Sequence, residues 1–392
     1  MLKAVKVRLY PTKAQQEIIA SQFGACRYIY NRSLALRKFV FERYGKTLSA
    51  HDLIKRIAVL KERHPWLKDA DSQALQQSVR HMDEAYKHFF HRVKKHPKGH
   101  KGEAPGFPRF KSKHHSRQSY QYPQRVKIDG GRVYLPKVGW VKAKGLRAEF
   151  AGKIKTVTVS MEAYQYHAAI LIEDGNETVE PSNNGRTVGL DMGVAAVVAD
   201  SEGNLVDPID FERELLKLRK CHQRLSRKQK GSAKRRKAKM RLSKQNLRIA
   251  NMRKDFLHKL STRYSENQVV VVEELNMKNM TKSAKGTEEK PGRNVRAKSG
   301  LNRSILKNGW GMFFEMLDYK TARRGGRLVK VSPEYTSQTC NVCGHVSKEN
   351  RKSQSRFKCE ACGHTANADV NAAKNIRDRG MTGSNASQQT AA

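Results

Sequence analysis

The chain is short of negative charge. Against 78 Lys and Arg it carries only 36 Asp and Glu, a formal charge of +42 over 392 residues. A compact body with that surplus repels itself unless a polyanion neutralises it, and nucleic acid is the polyanion of choice. The chain also lacks any run of 18 apolar residues and any lipidation signal, which removes the membrane as partner. Its first residues, Met1 to Val7, hold no signal-peptide core. Six cysteines without an export signal argue against a disulfide framework and for a cytoplasmic protein. Hydrophobic residues make up 38%, enough at this length for two to four domains with heavily charged surfaces.

Residues 5–9 alternate as a strand. Thr12 with Gln15 then reads as a capping box opening a helix, a second helix is predicted over about 49–63, and a third after Asp71. The third has a core stripe of Leu75, Val79, Met82, Tyr86, Phe89 and Val93. Its opposite face carries Gln73, Gln76, Gln77, Arg80 and Lys87. Glutamine suits adenine edges and arginine guanine, so Gln73, Gln76 and Arg80 are candidate DNA-motif readers, although such a face is more often merely solvated. Residues 92–117 read as a loop, with Gly-Phe-Pro-Arg-Phe-Lys at 106–111. Alternation predicts short strands at 125–128, 132–135, 138–143, 155–160 and 165–173, a small barrel or sandwich that strand 5–9 would join.

Asn183, Asn184 and Gly185 mark a boundary, followed by a strand hairpin bearing Asp191. Residues 211–264 read as two basic antiparallel helices parted at Gly231 and Ser232. Within 211–260 there are 19 Lys and Arg against 3 Asp and Glu, which favours a phosphate-facing surface including Arg235 and Arg236. Residues 268–275 form a buried strand, 281–300 a mobile loop, 304–324 a helix, 327–331 a strand and about 369–379 a last helix; 381–392 should be disordered.

Cys340, Cys343, Cys359 and Cys362 follow C-x2-C-x15-C-x2-C. Two residues between cysteines let both sulfurs reach one ion at about 2.3 Å, and Gly344 and Gly363 free the backbone just after each pair. Four thiolates close a tetrahedron, so one structural Zn²⁺ is expected and His345 and His364 are not needed as ligands. Acids are scattered: Asp191 in a strand, Glu273 or Glu274 at a strand end, and Asp369 at a helix start, where it could equally be a cap. Phosphodiester hydrolysis by two Mg²⁺ ions needs several carboxylates on rigid elements, but spacing does not establish that these converge.

These segments together resemble one family. Residues 187–194, 272–276, the cysteine cluster and 367–376 are similar to the RuvC-type nuclease segments of the transposon-encoded TnpB family, relatives of type V CRISPR effectors. Residues 106–111, 135–140, 255–260 and 308–310 ahead of Tyr319 and Lys320 resemble it too. The resemblance implies an α+β multidomain fold. A wedge-like β-barrel would span 1–10 and 111–183, with a helical recognition insert at 11–110. An RNase H-like RuvC core would span 184–331 and 365–380, with a zinc-ribbon insert for target nucleic acid at 332–364. It implies an RNA-guided DNA endonuclease, a monomer with a guide RNA, near the nucleoid of a prokaryote. It would cut double-stranded DNA beside a short motif, with Asp191, Glu273 and Asp369 holding two Mg²⁺. Glu273 is preferred to Glu274 because it directly follows the hydrophobic strand. Asn367 stands where many members have Asp, a position not expected to bind metal. The alternative is a DNA-binding regulator, guided or unguided, without cleavage.

Overall fold

The computed structural model describes residues 2–95, 106–113, 117–146, 152–173 and 182–389. The chain divides into two compact units, Met1–Glu177 and Thr178–Ala392. No helix among the described residues is long and apolar enough to cross a membrane.

The first unit runs β1 (Leu2–Tyr10), α1 (Lys13–Tyr44), α2 (Ala50–Arg63) and α3 (Ser72–Lys95). Six strands follow: β2 (Arg117–Tyr122), β3 (Lys127–Asp129), β4 (Arg132–Leu135), β5 (Gly139–Lys144), β6 (Lys153–Glu162) and β7 (Gln165–Glu173). Thr12 and Gln15 form the capping box that starts α1, and Ser49 with Asp52 forms another that starts α2. The seven strands make one sheet, ordered β2-β6-β7-β1-β5-β4-β3. Laid flat, six gaps of about 4.8 Å would hold its edges roughly 29 Å apart. Yet the edge strands β2 and β3 are joined by residues 123–126 alone, a link that reaches at most about 18 Å. The sheet is therefore curled, and Tyr122 Oη donates to the Pro136 carbonyl of the β4–β5 turn at 2.9 Å across the curl. The helices inserted between β1 and β2 share the sheet's core: Phe23 of α1 packs edge-on against Tyr120 of β2 at 5.3 Å, within one cluster that includes Leu75, Val79 and Met82. Strand β2 was not expected. Its Arg-Gln-Ser-Tyr-Gln-Tyr has no β-branched residue, and pairing with β6 along its whole length supplies what local propensity does not.

The second unit comprises β8 (Thr187–Asp191), β9 (Val198–Asp200), β10 (Leu205–Val206), α4 (Glu212–Ser226), α5 (Ala233–Tyr264), β11 (Val269–Glu273) and α6 (Met277–Met280). Then come α7 (Val295–Asn308), α8 (Trp310–Arg323), β12 (Arg327–Val331), β13 (Arg356–Lys358), β14 (Thr365–Asn367) and α9 (Ala368–Gln389). Its main sheet is ordered β10-β9-β8-β11-β12; β11 is parallel to β8 and β12, and the other pairs are antiparallel. The Val-rich β11 lies at its centre, as a buried parallel strand should.

Three boundaries differ from expectation. The helix expected over 304–324 is two helices broken at Gly309, whose left-handed backbone ends α7, and α7 begins at Val295 inside the expected loop. The last helix does not stop at Arg379 but continues to Gln389, since no proline interrupts it. Residues 390–392 lie outside the described residues.

Helix α9 packs across β8, β9, β11 and β12. It comes so near β8 that a Cβ on Gly189 would lie 2.1 Å from the Ala373 carbonyl and 2.6 Å from the Arg377 amide. Both are backbone atoms on a helix and cannot swing aside. Gly189→Ala is expected to destabilise this unit by about 3 kcal/mol, read as a lowered urea midpoint.

Candidate functional site: three acids and a cysteine knuckle

Strands β8 and β11 run parallel in register, Leu190 beside Val272, and both end on an acid. Burial decides between the adjacent glutamates: Glu273 is half-buried, Glu274 exposed. Asp369 stands in the first turn of α9. It is not the cap. The Asn367 side-chain oxygen accepts from the amides of Asp369 and Val370 at 3.0 and 3.2 Å, which leaves the Asp369 carboxylate free for other partners.

Asp191 senses the other two carboxylates. Burial first, then the charges of Glu273 and Asp369, push the Asp191 carboxyl up to about 7; the Arg351 charge and the Met192 amide oppose this. Burial also raises Glu273, against the Thr336 hydroxyl and the charge of Arg379. A buried group of like charges that Arg351 and Arg379 offset only in part is a place a cation favours. The donor set, hard oxygens on two strand ends and a helix start, fits Mg²⁺.

The cysteines meet as spacing predicts. All four sulfurs lie within 4.8 Å of one another, with Cys340 and Cys362 at 3.7 Å and Cys343 and Cys359 at 3.5 Å. A tetrahedron of about 2.3 Å bonds has sulfurs about 3.8 Å apart, so the set fits zinc. The two halves repeat one turn: the amides of Gly344 and Gly363 donate to the carbonyls of Cys340 and Cys359, while the Cys340 and Cys359 amides donate to those of His345 and His364. Both glycines have positive φ, +76° and +69°. The N–H of Cys362, and that of Ala361, directed at the Cys359 sulfur hold its thiol down to about 6.

Two residues that sequence reasoning missed join these centres. Thr336, on the way into the cysteine segment, donates to Glu273 Oε1 at 2.6 Å. Arg351, between the two cysteine pairs, holds Asp369 Oδ1 at 3.0 Å. Asn371 and Asn375 of α9 clamp the same segment, donating to the carbonyls of Thr336 and Thr339, and the Asn341 amide donates back to Asn371. A lone Thr and a lone Arg in a polar stretch carry no local signal; only the fold brings them to the acids.

The expected nucleic-acid contacts fare unevenly. Arg236 and Arg80 are exposed and Gln76 is half-buried, whereas the Gln73 amide oxygen is enclosed by protein. Gln77 is engaged with His81, which bonds Gln121 of β2. Arg235 donates to the carbonyls of Leu225 and Lys228 at 2.9 and 2.7 Å, so it caps the C-terminal end of α4. Ser232 caps α5, and the buried Glu214 gathers Lys217, Gln245 and Arg248 to bind the pair together.

Three family descriptions match the chain: "Helix-turn-helix domain" over residues 1–46, "Probable transposase" over 167–284 and "Cas12f1-like, TNB domain" over 310–376. The first label does not describe the geometry, since those residues form β1 and the single helix α1. "Putative RNA-guided DNA endonuclease InsQ" of Escherichia coli K12 is 42% identical over 383 residues, 96% of this chain and 91% of that protein. The chain belongs to the TnpB family. Another member, "Putative RNA-guided DNA endonuclease" of Streptomyces pristinaespiralis, is 32% identical across 97% of this chain and 90% of its own length. Among solved structures, the "mini-RNA-guided endonuclease CRISPR-Cas_phi3" aligns with 97% of this chain and 92% of its own, at 11% identity and a TM-score of 0.47.

Asp191 gives this TnpB-family protein a pH signature. Its folded-state value, about 7, lies above the ordinary 3.8. Its contribution to stability is therefore full below the ordinary value and lost as pH rises through the folded one. In magnesium-free buffer, Asp191→Asn should have the same melting temperature as the parent at the acid end of that window. It should gain a few degrees by its upper end and hold the gain above it. A constant offset at every pH would contradict the buried like-charge cluster.

Proposed function

We propose that this protein is an RNA-guided DNA endonuclease that binds a transposon-encoded guide RNA and cuts double-stranded DNA beside a short motif. The observation that carries the nuclease is that Asp191, at a strand end, feels the charges of Glu273 at the next strand's end and Asp369 at a helix start. The names of its full-length relatives support guidance by RNA and DNA as substrate. Division of labour follows, with guide pairing reading the sequence and the protein reading the motif and the backbone.

The acids would hold two Mg²⁺ ions, which when bound supply an activated water and neutralise the leaving oxygen. The chain's own side chains do the positioning. Thr336 ties down one oxygen of Glu273 and leaves the other directed by the strand. Arg351 pairs with Asp369 and brings further N–H donors, in a planar fork suited to phosphate, beside the acids. The exposed basic residues of α4 and α5, Arg236 among them, would track phosphates, while Arg235 serves the hairpin itself. The zinc knuckle performs no chemistry, but it carries Arg351 on the segment between its two cysteine pairs. Magnesium and zinc thus have separate sites and connected roles.

Sequencing RNA that co-purifies from the native context, then offering that complex a DNA library with randomised flanking motifs in Mg²⁺, tests the reading. A defined RNA and cuts beside one motif are expected, with Asp191→Ala reducing cutting to background while RNA stays bound. Undiminished cutting by that variant would remove the acids from the mechanism. Cys359→Ser should lose the zinc, one ion per chain, and lower cleavage by about tenfold or more, because Arg351 and Thr336 lose their positions. RNA affinity should change by no more than about twofold, and equal loss of both would contradict this division.

A further inference from the structure

The Gly-Phe-Pro-Arg-Phe-Lys run at 106–111 has no place in the nuclease mechanism, yet the first unit holds it firmly. Asn31 of α1 grips the backbone of Lys111 at both ends, Nδ2 donating to its carbonyl at 2.9 Å and Oδ1 accepting from its amide at 2.8 Å. Phe107 is wedged edge-on between Tyr86 and Phe89, at 5.2 Å from each, under the Lys38 ammonium. Phe110 lies between these anchors and is nonetheless 53% exposed.

What it faces is an open trough of about 530 Å³. One face of α1 makes the floor, with Gly24, Tyr28, Arg27 and Arg32, and Trp66 and Phe110 stand at its sides. Trp66 leans on Tyr28, ring centroids 5.4 Å apart, and leaves 42% of its surface in water. An exposed Trp and an exposed Phe beside one trough, with two arginines and no acid among the described residues lining it, are poorly suited to water and well suited to a flat cationophilic ring. On the other side of Pro108 and Arg109 lies a second hollow, of about 480 Å³, edged by His88, His91, Arg92 and Arg109. The trough offers two exposed rings beside arginines, and the hollow gathers two arginines and two histidines beside Tyr30, a combination suited to a base and its phosphates.

We propose that the trough between Trp66 and Phe110 takes one unpaired base of an RNA strand, and that the hollow beside Arg92 and Arg109 takes the adjoining phosphates. The base must be unpaired, since a paired one has both faces covered. RNA is the occupant because its loops and ends expose unpaired bases before any duplex DNA is opened, whereas duplex DNA presents none. The inference rests on the RNA-binding part of the proposed function and is independent of the acids.

The test uses the full chain carrying Asp191→Ala, with a labelled oligo(A) RNA of roughly a dozen nucleotides and a DNA duplex of the same length, followed by anisotropy over a salt series. Trp66→Ala and Phe110→Ala should each weaken RNA binding about tenfold, the cost of one lost stacking partner, with the salt slope unchanged. Gly24→Leu should do the same without removing a ring. A Cβ there would meet nothing nearer than the Arg27 guanidinium at 4.0 Å, so the variant folds and fills the trough. Arg92→Ala should instead lower the salt slope by about one. Duplex binding should not respond to the ring variants. Unchanged RNA affinity in Gly24→Leu and Phe110→Ala, or equal losses on RNA and duplex, would overturn the proposal. So would a larger loss on oligo(dA) than on oligo(A), which would make the occupant a DNA strand. Failure of guided cleavage would leave these affinities untouched and so would be told apart.

Discussion

Three carboxylates drawn together at the edge of a buried sheet repel one another, and the second unit is arranged to hold them there. The hold comes from the contact between β8 and α9. With only hydrogen at Gly189, the helix backbone settles onto the strand, and its first turn brings Asp369 into the field of Asp191. A helix held farther off by one methyl group would carry Asp369 away, and no side-chain adjustment could bring it back. The central β11, in register with β8, then delivers Glu273 to the same edge. Arg351 and Arg379 offset part of that repulsion, and a bound cation would offset the rest.

The cysteine segment belongs to the same construction. Its metal knuckle folds locally, but its hydrogen bonds run outward, from Thr336 to Glu273 and from Arg351 to Asp369, with Asn371 and Asn375 fastening it to α9. A cysteine cluster and a set of acids that look separate along the chain are joined in space, so a change in the fold of the cysteine segment reaches the acids.

Legibility followed range. Each cysteine pair spans four residues, so spacing and a following glycine sufficed to expect all four sulfurs in one cluster. The capping box at Thr12 and the valine run of β11 were equally local. Strand β2 was missed because its partner β6 lies far along the chain, and the break at Gly309 was hidden by apolar residues that continue the helical period on both sides. Arg235 was read as a phosphate contact because it sits in a basic run. The turn of the α4–α5 hairpin instead presents it with the free carbonyls of α4.

By itself the sequence determined the charge that calls for a polyanion, the cysteine knuckle and the strands that carry Asp191 and Glu273, since each depends on neighbours within a few residues. It also left open whether Asp369 was a ligand or merely a helix cap. A local turn of chain decided that Asn367 caps; tertiary structure alone decided that Glu273 faces inward. It also brought Arg351 and Thr336 to the acids. Those last two contacts join residues 18 and 63 positions apart, and contacts at that range leave no periodicity to read.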